Sequence, residues 1–272
     1  MLLQLGIGFG TACIIAFLAR RLHALSRSGA WAALLTGTLI FGLGGVPWAV
    51  LLLAFVISSS VLSRAFSGRK KALNEKFAKG SQRDAGQVLA NGGLGALLAI
   101  AQVIYPDSNW PWIAFIGAMA AVNADTWATE LGVLNPSQPR LITTGRVVEA
   151  GTSGGVSLLG TLASLAGAAL IALFAILTAP QAGDLPAKRL TLLVVISLGG
   201  MAGSLFDSLL GATVQGIYFC PNCAKETERH PRHSCGTETT RVRGWEWLNN
   251  DLVNFACSVV GAVVLLGLWL SL

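Results

Sequence analysis

The stretch AVNADTWATELG, residues 121–132, closes a run that is apolar from Trp110 onward and yet carries two carboxylates, Asp125 and Glu130. An ionised side chain in lipid costs several kcal/mol, so the reading of this stretch depends on the solvent around it. The chain has 272 residues, 53% of them hydrophobic and only 12% charged, and its mean hydropathy is +0.64. A soluble domain carries roughly 25% charged residues. So large a deficit leaves too little polar surface to cover a water-soluble globule, and the chain reads as an all-α, polytopic membrane bundle.

Apolar runs of the length that crosses a bilayer as helix recur eight times, at 2–19, 29–45, 47–64, 86–105, 111–132, 151–178, 190–214 and 251–271. They form a single transmembrane domain over residues 1–272, with a polar Cys/His loop at 215–250 inside it. The first run is too long for a cleaved signal peptide and has no basic segment before it. A bacterial or already mature chain is therefore expected. All but two of the 19 Lys and Arg residues fall in connections 20–28, 65–85, 133–150 and 215–250, with Arg64 at the edge of the second; the exceptions are Lys188 and Arg189. Cytosolic loops carry the Lys/Arg excess, so these four connections are expected in the cytosol and both termini outside. The net charge of +6 is then mostly an orientation signal and needs no nucleic acid partner.

With that orientation the polar residues gather at one depth. Asp125 lies about 20 Å along its inward-running span, at ~1.5 Å per residue. Asp207 comes late in the seventh span, and Asp251 opens the eighth just after Asn249 and Asn250. Asn91 is early in the fourth, and Glu149, Gly151, Thr152, Gly154 and Gly155 mark the start of the sixth. One buried acid is readily a paired packing residue, and Gly200, Ser204 and Ser208 have the spacing of a close helix-packing face. Three carboxylates at one depth repel unless they share cations, and carboxylate oxygen is what Mg²⁺ prefers. Asp125, Asp207 and Asp251 therefore read as Mg²⁺ ligands. Asp125 and Glu130 stand about 140° apart on a helix, so Asn123, Trp127 and Glu130 share one face and Asp125 and Thr129 another. A span polar on two faces belongs at the centre of the bundle.

Two basic segments supply the complement. KGSQRDAGQVLANGG, residues 79–93, offers Lys79 and Arg83 to a phosphate with Asn91 below them. PRLITTGRVVEAGTSGG, residues 139–155, joins Arg140 and Arg146 to a Gly-rich turn at an expected helix N-terminus, where backbone N–H groups and the helix dipole favour an anion. Taken alone, the glycines fit mere packing and the arginines mere orientation. Beside the acids they read as the phosphate half of a phosphate-plus-Mg²⁺ site.

RDAGQVLANGG, NADTWATELG, GRVVEAGTSGG, GSLFDSLLGATVQ and NNDLVNF, in that order along nearly the whole chain, resemble the membrane family that includes the phytyl-phosphate kinase of tocopherol biosynthesis. More distantly they are similar to phytol and dolichol kinases and to CDP-diacylglycerol synthase. The resemblance implies phosphoryl transfer from a nucleoside triphosphate (CTP or similar) to phytyl phosphate, giving phytyl diphosphate, in a bacterial plasma membrane or a cyanobacterial thylakoid. Ser204 stands where the synthase has an Asp, and NNDLVNF replaces its Asp-Arg ending; both departures weaken nucleotidyl transfer and leave the kinase reading intact.

Phosphoryl transfer needs positioning and charge neutralisation more than covalent help. Asp125, Asp207 and Asp251 would hold Mg²⁺; Arg146, Lys79, Arg83 and the turn Gly151–Gly155 would bind phosphate oxygens. The expected partners are the bilayer, a prenyl phosphate and a nucleoside triphosphate, with a homodimer left open. A CTP-dependent lipid cytidylyltransferase is the other enzymatic reading. A transporter or flippase would carry polar groups through both leaflets and often an internal repeat, and neither is visible.

CPNCAKETERHPRHSC, residues 220–235, spaces Cys220, Cys223, His233 and Cys235 as a closed structural Zn²⁺ site. His230 competes with His233 as the fourth ligand. A reducing cytosol disfavours a disulfide. Cys13 and Cys257 lie in spans and read as small core residues.

Overall fold

The computed structural model describes residues 2–66, 82–178 and 186–271. Among them are eight long helices: α1 Leu2–Arg21, α2 Arg27–Gly44, α3 Val46–Ala65, α4 Ala85–Ile104, α5 Trp110–Gly132, α6 Leu158–Thr178, α7 Pro186–Thr213 and α8 Asn250–Trp269. Six of these, α1, α3, α4, α6, α7 and α8, are long and apolar enough to cross a membrane. The architecture is that of a polytopic helical membrane protein. α2 and α5 are helical where expected but fall outside the six: α2 opens on Arg27 and Ser28, and α5 carries Asn123, Asp125 and Glu130.

α5 is the central helix. It packs against α3, α4, α6, α7 and α8, and Ile113 through Ala124 are buried without a break. Small residues let the backbones approach, as is usual where lipid gives helices no hydrophobic reason to associate. A Cβ at Gly117 of α5 would run into the carbonyl of Gly261 on α8, and Gly200 of α7 admits Ala120 and Ala168. α1 is peripheral, and its Leu3, Ile7, Ile14 and Phe17 are exposed, as lipid-facing side chains are.

The all-α expectation requires one amendment. Two small antiparallel sheets lie at one end of the bundle: β1 (Arg140–Leu141) with β2 (Gly155–Val156), and a three-stranded sheet ordered β4-β3-β5 from β3 Ile217–Cys220, β4 Lys225–Thr227 and β5 Thr240–Arg243. The first sheet also corrects the sixth span, which was expected from residue 151. Gly151 and Gly154 adopt φ of 78° and 83°, a left-handed backbone that no α-helix contains. Residues 151–157 are turn and strand, and α6 begins only at Leu158, where Ser157 Oγ accepts from Gly160 N at 3.1 Å.

The basic connections meet at this end. Arg83 N donates to Ala24 O and Ser26 N donates to Arg83 O, both at 3.0 Å. Arg243 ties the three-stranded sheet to the rest, donating to Gly211 O at 2.7 Å and Ser153 O at 3.3 Å. Lys79 lies outside the described residues.

Candidate active site and metal centre

At the loop-rich end the helix termini enclose a cavity of about 1090 Å³. α4, α6 and α8 begin here, while α5 and α7 end here. Three helix N-termini converge on the space, each presenting the positive end of its dipole. Their caps explain part of the motifs. Asp84 accepts from Gln87 N at 3.0 Å while Gln87 Oε1 accepts from Asp84 N at 3.2 Å, a capping box written into RDAGQ. Asn249 Oδ1 accepts from Leu252 N at 3.1 Å, the same service within NNDLVNF.

Asp125, Asp207 and Asp251, from α5, α7 and α8, all line this cavity. The Asp125 carboxylate is hydrogen-bonded to Ser204. Asp125 and Glu228 both lie close enough to Asp207 for their charges to act on it. Asp207 Oδ2 is buried and has no hydrogen-bond partner among the described residues. A buried oxygen of this kind, in a carboxylate with two others near it, fits a cation better than it fits empty space. Ser204 and Ser208, expected as packing residues, line the cavity as well; close helix contacts are made by Gly200 and Gly203.

Glu130 also lines the cavity but is buried, and Ser63 Oγ of α3 donates to its Oε1 at 2.6 Å. Asn123 does not reach it. Its Oδ1 accepts from Ser58 Oγ at 3.0 Å and its Nδ2 donates to Gly167 O at 2.7 Å, so one amide fastens α5 to α3 and α6. Trp127 Nε1 donates to the same Ser58 hydroxyl at 3.2 Å. Asn123, a substrate- or nucleotide-binding candidate by sequence, is instead fully buried outside the cavity lining, with its amide oxygen and nitrogen each bonded to a neighbouring helix.

The basic partners differ from those expected. Arg83, Asn91, Gly151, Thr152, Gly154, Gly155 and Asn250 line the cavity as expected. Arg140, Arg146 and Glu149 do not; all three are exposed on the hairpin between β1 and β2. Arg140 Nη1 donates to Gly145 O at 2.9 Å, closing its own turn. The β1–β2 pairing keeps residues 142–149 out of the cavity wall, which the chain rejoins at Ala150. Arg229, Arg232 and Glu228 occupy the wall instead, brought there by the three-stranded sheet. Glu228 Oε1 accepts from Ser153 Oγ at 2.9 Å and Gln215 Nε2 at 3.0 Å, docking the sheet on the Gly-rich turn. The sequence signal for them was the density of charge in ERHPR between the two ligand pairs. Burial pushes the Arg83 guanidinium down from its ordinary value, and the charge of Glu130 pulls it back up.

Beside the cavity, Cys220, Cys223, His233 and Cys235 bring one ligand atom each to within 4.8 Å of one another. Cys220 Sγ is 3.5 Å and His233 Nδ1 3.3 Å from Cys235 Sγ. The Thr237 hydroxyl and the His233 ring hold the Cys235 thiol down at about 5, while hydrogen bonding to Cys235 pushes the Cys223 thiol up to about 11, as expected of sulfurs crowded into one cluster. His230 is outside the set: its ring stacks on Tyr218 at 4.4 Å and its Nε2 is 3.7 Å from Glu246 Oε1. Between the two histidines the geometry selects His233. The cluster is one that can hold a metal ion.

The profile of the family described as "Integral membrane protein DUF92" matches residues 10–262. The chain belongs to that family. This DUF92 chain is similar to Protein PGR of Arabidopsis thaliana, 36% identical over 259 residues that cover 89% of this chain and 88% of that one. It is also similar to an uncharacterized membrane protein of Methanocaldococcus jannaschii, 31% identical over 265 residues, 97% and 93% of the two chains. Protein VTE6, chloroplastic, of Arabidopsis thaliana is 25% identical over 248 residues, 88% of this chain and 64% of that protein. No solved structure matches. Membership bears out the membrane family to which the five motifs pointed. In the DUF92 chain, each of those five motifs places at least one residue on the wall of the one cavity.

Proposed function

We propose that this protein is a prenyl-phosphate kinase that moves the terminal phosphoryl group of a nucleoside triphosphate, CTP by family resemblance, onto a lipid monophosphate. Phytyl phosphate is the substrate and phytyl diphosphate the product. The observation that carries this reading is the meeting of Asp125, Asp207 and Asp251 from three helices with Arg83, Arg229 and Arg232 in one cavity. The P–O bond from the terminal phosphorus to the leaving nucleoside diphosphate breaks as a bond to an oxygen of the lipid phosphate forms. That oxygen is already ionised, so the reaction asks no strong general base of the protein.

The arginines bind and orient the phosphates, and the N-termini of α4, α6 and α8 add their dipoles. The three aspartates would hold Mg²⁺, which when bound neutralises charge on the triphosphate. The donor set suits it: hard oxygen ligands, one of them the buried Asp207 Oδ2 without a partner among the described residues. Cys220, Cys223, His233 and Cys235 would hold a structural Zn²⁺ that fixes the sheet carrying Arg229 and Arg232. The Lys/Arg excess in the basic connections supports a cytosolic cavity, and that orientation is consistent with eight spans, six of which are long and apolar enough by themselves.

A transport role gains no support from α5, whose residues Ile113 to Val122 form an apolar plug packed solidly beyond the acids. The reading is tested by incubating purified protein with Mg²⁺, phytyl, geranylgeranyl or farnesyl phosphate and each nucleoside triphosphate. A diphosphate lipid by mass is the expected product; a CDP-lipid would transfer the same site to cytidylyl chemistry.

A further inference from the structure

A second cavity, of about 360 Å³, lies between α1, α2, α3 and α4. Its body is apolar, formed by residues such as Ala16, Gly37, Leu52 and Val56, whereas its inner wall is polar. Ser63, Arg83, Gln87 and Asn91 line both this cavity and the large one. The partition between the two is thus a cation with hydrogen-bonding neighbours. Arg83 is anchored there by its backbone bonds to Ala24 and Ser26, and its guanidinium lies 5.5 Å from the centre of the Phe55 ring.

We propose that the α1–α4 cavity receives the hydrocarbon chain of a prenyl phosphate, with Arg83 at the partition holding the phosphate so that it faces the aspartates. The proposal rests on the kinase reading for the identity of the lipid. A greasy chamber joined through an arginine to a polar one matches a molecule with an anionic head and an apolar tail. A nucleotide placed the other way round would bury its ribose and base edges without partners. The volume is near the lower bound for small-ligand sites, about 300 Å³, which suits one chain rather than the two of a diacyl lipid. Ala12 and Gly37 approach at the deep end, where a Cβ on Gly37 would meet Ala12 Cβ at 3.2 Å. Small residues there keep the chamber open, and their bulk determines how much chain it takes.

The test uses wild-type protein in lipid nanodiscs and a prenyl phosphate bearing a diazirine on its second isoprene unit, with crosslinks mapped by mass spectrometry. Crosslinks on α1–α4 that unlabelled farnesyl phosphate displaces and farnesol does not are the expected result. Displaceable crosslinks on α5–α8, or none that farnesyl phosphate displaces, would overturn the proposal. A companion variant at the deep end, Ala12→Val, should raise the KM for geranylgeranyl phosphate by at least about tenfold, the lower end of what one misfitted methylene costs, while changing that for geranyl phosphate far less. Equal effects on both chains would also overturn it. The two readings fail separately. Crosslinks on α1–α4 without diphosphate formation would leave the lipid chamber and remove the kinase, while diphosphate formation with crosslinks elsewhere would do the reverse.

Discussion

Ser63 Oγ on α3 donates a 2.6 Å hydrogen bond to Glu130 Oε1 on α5. Glu130 therefore enters the cavity with one carboxylate oxygen held by Ser63 and with its charge beside the Arg83 cation, whereas Asp207 has, among the described residues, only carboxylates, Asp125 and Glu228, as its charged neighbours. The two kinds of acid have different consequences. Glu130→Gln keeps an acceptor for Ser63 and should lower turnover less than about tenfold, or ~1.4 kcal/mol. Asp207→Asn should lower it at least a hundredfold. Initial rates of the two purified variants at saturating Mg²⁺ decide this; equal losses would mean that Glu130 belongs with the metal-binding set.

Asn123 should behave as a structural residue. Asn123→Ala removes both the Ser58 and the Gly167 hydrogen bonds, at a cost of about 1–2 kcal/mol for polar contacts between membrane helices. A lower midpoint of thermal unfolding in detergent, with the KM for both substrates unchanged in the surviving protein, is the expected result. An altered KM with unchanged stability would return Asn123 to the binding residues.

Much of this site was legible from sequence and some was not, for identifiable reasons. Asp125, Asp207 and Asp251 were readable because a charge in an apolar run is rare enough to be a signal by itself. Their convergence followed from counting residues along spans whose direction the basic loops had set. The central place of α5 followed from its two polar faces. That Arg140 and Arg146 stand outside the cavity wall was not legible, because a two-residue strand pair, Arg140–Leu141 with Gly155–Val156, leaves almost no periodicity to detect. Arg229 and Arg232 were hidden for the opposite reason: orientation charge and metal-loop spacing each gave them an adequate explanation, and only the folded sheet brings them over the cavity.

The Cys/His cluster predicts a measurable metal. Purified protein should carry about one equivalent of zinc, and Cys220→Ser with Cys223→Ser should lose it together with stability, since metal binding of this kind is folding free energy. Because the sheet carries Arg229 and Glu228 to the cavity, the double variant should also show a raised KM for nucleotide. Elemental analysis without zinc and unaltered stability would reduce the cluster to coincidence.

Orientation is open to direct labelling. With the metal-cluster cysteines left in place and Cys13 and Cys257 replaced by alanine, a membrane-impermeant maleimide applied to intact cells should label a Lys188→Cys variant and leave a Gly236→Cys variant at the background of the parent protein. The reverse pattern would place the cavity outside and remove its access to nucleoside triphosphate.

The central claim is that the carboxylates gathered at the ends of α5, α7 and α8 serve phosphoryl transfer to a lipid phosphate. Its most direct test is the rate of diphosphate lipid formation by wild type and Asp125→Asn, each verified as folded by size-exclusion profile and thermal midpoint, with Mg²⁺ titrated in both. Asparagine keeps the size and the Ser204 hydrogen bond but removes a charged ligand, so the variant should remain folded and lose at least a hundredfold in rate, about 2.7 kcal/mol. A folded Asp125→Asn protein with near wild-type, Mg²⁺-dependent turnover would contradict the account.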